Sequence, residues 1–209
     1  VAAANLKPPA ITVVGEVVRL RGELNWFEAR PLFGRRIVVT RAREQASEFK
    51  AILSELGAHC LEFPTIAIEP PPSWEPLDTA IAHLATYDWV IFTSVNGVRC
   101  FMARLRAAGL DGRGLHGLQL AAIGPKTAEA LEQVGLRPDL LPGEYRAEAI
   151  LDGLAGGNLR GKRFLLPRAM VARDVLPDTL RQWGAEIDVV PAYQTVLPRE
   201  RTTEMLERL

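Results

Sequence analysis

Tyr87-Asp88-Trp89-Val90-Ile91-Phe92-Thr93-Ser94-Val95-Asn96-Gly97-Val98-Arg99-Cys100-Phe101 decides the fold. Trp89–Phe92 is an unbroken apolar run of β-branched and aromatic residues, the pattern of a strand covered on both faces. Thr93-Ser94 ends the run. Val98, Phe101, Met102 and Leu105 then recur at helical spacing. Ser94 or Asn96 suits the N-cap, because a short side-chain oxygen accepts a bond from a free amide of the first turn. The reading is strand, tight polar turn, helix. In a parallel α/β sheet such a turn lies at the carboxyl edge, where ligands bind.

The design repeats on both sides. Upstream, Ile37-Val38-Val39 reads as a strand and Thr40-Arg41-Ala42-Arg43 as its turn. Phe49, Ile52, Leu53 and Leu56 mark a helix ended by Gly57, and Cys60–Pro64 is a second strand, giving a parallel pair. Thr65–Pro76, with three consecutive prolines, reads as a semi-rigid connector, followed by a helix over 76–85. Downstream, strands are expected at Leu118–Ile123, Asp139–Leu141, Lys162–Leu166 and Ile187–Val190. Helices are expected after Lys126, over 147–154 and around Val175–Trp183. Gly124-Pro125-Lys126-Thr127 and Pro167-Arg168-Ala169 read as strand-end turns, and Pro191–Thr195 leaves the last strand. Ile11–Val14 reads as a short strand in a leading block too small to bury its own apolar residues, and 202–209 begins a helix. The fold class is therefore α/β, in two lobes with parallel sheets flanked by helices. Five strands are expected between Trp89 and Val190, and the smaller lobe is discontinuous and incomplete.

Composition narrows the function. The chain has 209 residues, 48% of them hydrophobic, which supports a substantial core and excludes general disorder. Lys plus Arg and Asp plus Glu are both 25, so there is no basic surplus for nucleic acid. No apolar run approaches the roughly 20 residues of a membrane span. Cys60 and Cys100 are far apart and in no ligand spacing, which points to reduced thiols and a cytoplasmic setting.

The four turns carry the chemistry. Each precedes a helix, so free amides and a positive dipole end meet hydroxyls and cations there. That suits a ligand bearing several carboxylates or phosphates, although ordinary helix capping explains the same residues. There is no GxGxxG after a strand, no GxxxxGK[ST] and no GxSxG. His59, His83 and His116 are isolated, so no metal site is expected. Tyr193, at a strand exit beside Pro191 and Gln194-Thr195, reads either as a structural residue at a lobe junction or as a functional phenol.

FTSVNGV at 92–98, AAIGPKTAEAL at 121–131 and VPAYQTVLP at 190–198 together resemble uroporphyrinogen-III synthase. IVVTRAREQASEF at 37–49 is similar to that family's first strand and helix, and 165–188 to its later strand-helix-strand. Separately, ITVVGEVVRLRGELNWFE at 11–28 resembles the C-terminal tail of uroporphyrinogen-III C-methyltransferase, as in fusions of the two activities.

The resemblance implies a two-lobed lyase that closes linear hydroxymethylbilane into uroporphyrinogen III, inverting ring D and losing water, without a cofactor. The small-molecule substrate is an octacarboxylic tetrapyrrole, on the route to haem, sirohaem and cobalamin. Residues 1–33 would be a methyltransferase remnant with linker, 34–66 and 196–209 part of one synthase lobe, and 67–195 the other lobe with its connectors. On this reading the chain is truncated at both ends, with activity in doubt and self-association expected through exposed apolar surface of the incomplete lobe. Tyr193 would be the proton donor. Thr93, Ser94, Gly124, Lys126 and Thr127, with Arg41, Arg43 and Arg168, would hold substrate carboxylates. The competing classes are a non-catalytic anion- or tetrapyrrole-binding module and a methyltransferase accessory piece.

Overall fold

The computed structural model describes residues 11–198, the side chains of 43–45 excepted, in two units: 11–66 with Pro198, and Ala67–Leu197. The helix expected over 202–209 lies outside the described residues.

In the first unit, residues 11–14 are irregular and exposed rather than a strand. A lone extended segment gains no ladder bonds without a partner. A 3₁₀ turn over Glu16–Leu20 and the short helix α1 (Arg21–Leu24) follow. Phe27 then meets Trp26 and Phe33 edge-on, and the Arg30 guanidinium lies 4.7 Å from the centroids of both Trp26 and Phe27. Strand β1 (Arg36–Val39), helix α2 (Arg43–Glu55) and strand β2 (His59–Glu62) form the expected parallel pair, Ile37 opposite Cys60. Gly57 ends α2 at φ 95, and a Cβ there would stand 2.9 Å from that of Arg30. Glycine is thus required both for the left-handed turn and for the approach of the preceding loop. The core of this unit is small: Val39, Ala46, Leu53 and Ala58. Val38, Phe49, Ile52 and Leu56 are exposed, the apolar surface anticipated for 34–64.

The second unit is a five-stranded sheet, but not with the five strands expected. Within the proline-rich connector, Ala67–Glu69 forms β3, and helix α3 (Glu75–Ala82) follows. Then come β4 (Trp89–Phe92), α4 (Val95–Ala107), β5 (Gln119–Ala122) and α5 (Pro125–Glu132). The unit closes with α6 (Ala147–Leu154), β6 (Arg163–Ala169), α7 (Val175–Gln182) and β7 (Glu186–Val196). The order is β3-β7-β6-β4-β5, parallel throughout except for β3 on β7. Asp139–Leu141 is not a strand; it contributes only a bridge from Leu140 to Ala121. Two further expectations are corrected. Pro167-Arg168-Ala169 is the end of β6, with the turn displaced to 170–174, because β7 runs on and keeps supplying ladder partners. For the same reason Tyr193 lies within β7 rather than at its exit.

Side chains alternate between two cores. Val90, Phe92, Leu120 and Leu165 face one side, with α3, α4 and α5. Ile91, Ala121, Phe164 and Leu166 face the other, with α6 and α7. Both faces are covered, which is why these strands read as continuous apolar runs. The chain therefore leaves β4 towards one face and β6 towards the other. Neighbouring parallel strands whose connections part in this way open a crevice at their carboxyl ends. No helix among the described residues is long and apolar enough to cross a membrane.

Candidate functional site

The carboxyl ends of β4 and β6, where the topology leads one to expect a binding crevice, are built from few residues. Phe92 is fully buried and brings Thr93 and Ser94 to the sheet edge. Ser94 is the N-cap of α4, its Oγ accepting the Gly97 N–H at 2.9 Å. Such a cap contributes about 1 kcal/mol. The hydroxyl is also 3.0 Å from the Tyr193 hydroxyl. Tyr193 is buried, and its carbonyl accepts the Met170 N–H at 2.8 Å. The Tyr193 side chain is thus held at its tip from β4 and at its backbone from the end of β6.

Gly97 lets α4 start close to β6. A Cβ at this position would lie 3.0 Å from the Pro167 carbonyl oxygen and 3.3 Å from Ser94 Oγ. At the end of β5, Gly124 precedes α5, whose first residue is Pro125, a position where the missing N–H costs nothing. Thr127 is buried one turn in, whereas Lys126 is exposed and paired with Glu129 at 2.9 Å. The Tyr145 ring covers Gly124 closely enough that a Cβ would meet it at 3.0 Å.

Arg168 is buried, and its guanidinium is turned onto its own chain. Nη1 donates to the Arg173 carbonyl at 2.7 Å and Nη2 to the Asp174 carboxylate. Nε is buried with no hydrogen-bond partner among the described residues. An unpaired buried donor costs about 1–3 kcal/mol, so this arrangement is a poor choice if stability alone is served.

The structure therefore brings Thr93, Ser94 and Arg168 at the ends of β4 and β6 beside Tyr193 within β7, and Gly124, Lys126 and Thr127 to the end of β5. Arg41 is exposed after β1 in the first unit, and the Arg43 side chain is outside the described residues. Sequence reasoning missed Met170, Asp174 and Tyr145, whose roles are set by backbone register and long-range approach. Asp174, just before a helical pattern, carries a capping signal, yet its carboxylate pairs with Arg168 and makes no cap bond.

Burial pushes the Cys100 thiol up, which suits an inert packing residue. Among the described residues, no group of three or more His, Cys, Asp or Glu could hold a metal ion.

The uroporphyrinogen-III synthase HemD family matches residues 47–209. The porphyrin biosynthesis protein HemD of Ruminiclostridium josui is 34% identical over 200 residues, 96% of this chain and 40% of that protein. The uroporphyrinogen-III synthase of Synechococcus elongatus is 37% identical over 172 residues, 82% of this chain and 64% of that protein. The chain thus spans less than two thirds of either relative. A crystal structure of a mutant uroporphyrinogen III synthase from the extreme thermophile Thermus thermophilus superposes with a TM-score of 0.62 at 29% identity, over 84% of this chain and 69% of that one. A match over this much of the chain, with a fold to agree, shows that the chain belongs to the uroporphyrinogen-III synthase HemD family.

Proposed function

We propose that this chain carries the cyclising activity of a uroporphyrinogen-III synthase, a hydro-lyase acting on hydroxymethylbilane. The observation that carries the reading is the Ser94–Tyr193 hydroxyl pair at 3.0 Å, at the carboxyl edge of the sheet. Tyr193 donates its proton to the terminal hydroxyl of the substrate, the C–O bond breaks, and water leaves. The electron-poor azafulvene so formed is attacked by the substituted α-carbon of ring D, giving a spiro intermediate. The bond from that carbon to its original bridge then breaks and re-forms at the free α-carbon, which inverts the ring. The proton lost from the free α-carbon returns to the Tyr193 phenolate. Uroporphyrinogen III and one water account for every atom.

Ser94 suits the supporting role. One of its lone pairs is occupied by the Gly97 N–H, so its own O–H is free to donate to the phenolate that Tyr193 becomes. The positive end of α4 favours that negative charge. The backbone around Gly124 and Lys126, with the Thr127 and Thr93 hydroxyls, holds substrate carboxylates in the manner of other helix N-termini. A general acid so placed contributes about 10²–10⁴-fold in rate.

The test is a coupled assay with freshly generated hydroxymethylbilane, reading isomer III against the spontaneous isomer I by chromatography. Isomer III above background is expected. Porphyrinogen affinity with isomer I alone would replace the lyase with a tetrapyrrole-binding module.

We read Ile11–Glu28 as a C-methyltransferase-type tail ahead of the synthase portion. Its resemblance and its exposed Val17, Leu24, Trp26 and Phe27 support this. Deleting 1–33 should leave isomer III formation intact, and loss of that activity would give the segment a part in cyclisation instead. The free Cys60 and Cys100 agree with a reducing, cytoplasmic setting.

A further inference from the structure

We propose that Arg168 is a positioning residue for Tyr193, acting through the β6–α7 turn and not as a contact for substrate carboxylates. The inference rests on the synthase reading of this site. It begins with a defect in the sheet. Residues 163–168 of β6 pair in step with β7, but Ala169 falls opposite Tyr193, with the register shift between Arg168 and Ala169. A bulge of this kind loosens the ladder and re-aims the side chains beside it. The extra residue is Ala192 on β7, and Tyr193 directly follows it.

The guanidinium braces that defect. Arg168 reaches ahead to the Arg173 carbonyl and the Asp174 carboxylate, closing the turn over 169–174 onto itself. From inside this closed turn, Met170 N–H reaches back to the Tyr193 carbonyl. One residue before Arg168, the Pro167 carbonyl abuts Gly97 in the first turn of α4, which Ser94 caps. Ser94 in turn meets the Tyr193 hydroxyl. The contacts form a ring: the tip and the backbone of Tyr193 are both referred to residues 167–170, and Arg168 holds that stretch in shape.

The other two roles for Arg168 fit less well. As a substrate clamp it would need a forked edge open to the ligand, yet both Nη atoms are engaged within the chain and Nε is buried. As a stabilising ion pair it is poorly built, since one donor is unpaired and Asp174 is largely exposed. What the arrangement supplies is geometry, and small displacements of a catalytic group can cost about 100-fold in rate.

The experiment compares Arg168→Lys and Asp174→Asn with the parent in the isomer III assay. Lysine keeps the charge without the fork, and Asp174→Asn weakens the same brace from an exposed position that leaves no buried cavity. Arg168→Lys should lower kcat about tenfold or more while KM stays within about threefold, with Asp174→Asn following in the same direction more weakly. A raised KM at unchanged kcat would make Arg168 a substrate contact and overturn the proposal.

A second readout does not need turnover. The chain has three tyrosines. Fluorotyrosine labelling, assigned with Tyr87→Phe and Tyr145→Phe, should show the Tyr193 fluorine resonance shifting in both variants while that of Tyr87 stays in place. If the parent forms no isomer III but this resonance shifts, positioning stands and the synthase reading falls. If the parent forms isomer III and both kcat and the resonance are unmoved in the variants, the synthase reading stands and positioning falls.

Discussion

Ser94 and Tyr193, 99 residues apart in the chain, place their hydroxyl oxygens 3.0 Å from one another at the carboxyl edge of the five-stranded sheet. Ser94 comes from the end of β4 and Tyr193 from β7, two strands away in the sheet. Between them β6 pairs with a β7 that bulges at Ala192, just before Tyr193, and α4 starts close against Pro167 of β6.

Tyr193→Phe removes the proton donor and little else. The lost hydroxyl contact is worth about 1 kcal/mol of stability. The rate of isomer III formation should fall about 100-fold or more. Steady-state kinetics with hydroxymethylbilane check this, and a variant as fast as its parent would take the acid role away from Tyr193.

Ser94→Ala removes both the cap of α4 and the partner of Tyr193. A loss of about 1–2 kcal/mol is expected in urea unfolding. Activity should drop as well, but less than in Tyr193→Phe, because the phenol proton remains. Activity below that of Tyr193→Phe would mean that Ser94 itself handles the proton.

Gly97→Ala puts a methyl group 3.0 Å from the Pro167 carbonyl oxygen, which belongs to the backbone of a central strand and has little room to give. Helix α4 must move outwards. Destabilisation of about 1–3 kcal/mol is expected, despite alanine's better helix propensity. Thermal unfolding decides, and a variant more stable than its parent would show that α4 is free to shift.

Tyr87 should ionise late. Burial first, and then its hydrogen bond to Asp188 at 2.6 Å, hold the phenol well above its ordinary range near pH 10. With the folded value raised, the stability contribution is complete below about pH 10 and is lost as pH climbs towards the folded value. Ultraviolet titration should show a late-ionising component that is lost in Tyr87→Phe. A titration curve unchanged at high pH in Tyr87→Phe would contradict the raised value.

Asp88 governs an acid limb. The Lys162 ammonium at 2.6 Å, and then the Arg163 N–H at 2.9 Å, hold its carboxyl below the usual range. The unfolded chain takes up the proton first, near pH 4. The contribution is therefore complete above about pH 4 and is lost as pH falls through the folded value. Asp88→Asn should flatten stability against pH below about pH 4 in urea titrations, and an unchanged slope would assign the acid limb elsewhere.

The strands β4 and β5 were legible because both of their faces are covered, β1 and β2 because their apolar runs are short and bounded by turns, and the helices because each has one apolar stripe. Ser94 was legible as a cap, since capping is a local bond three residues long. Ile11–Val14 misled because an apolar run signals burial, and no partner strand among the described residues supplies it. Asp139–Leu141 misled in the same way: the run meets β5 through a single bridge. The connector strand Ala67–Glu69 was hidden by its prolines, which keep it to an edge, where it adds antiparallel to β7 beyond the parallel part of the sheet.

Sequence by itself determined the α/β class, the turns that follow β1, β4 and β5, and the cap at Ser94, because periodicity, capping and turn chemistry act within a few residues of one another. Only the tertiary structure decided that Tyr193 lies inside a strand with its hydroxyl on Ser94, and that the Arg168 guanidinium turns back onto Asp174. Strand order, register and the bulge set those contacts. They follow from how whole elements pack against one another, and no short stretch of sequence encodes them.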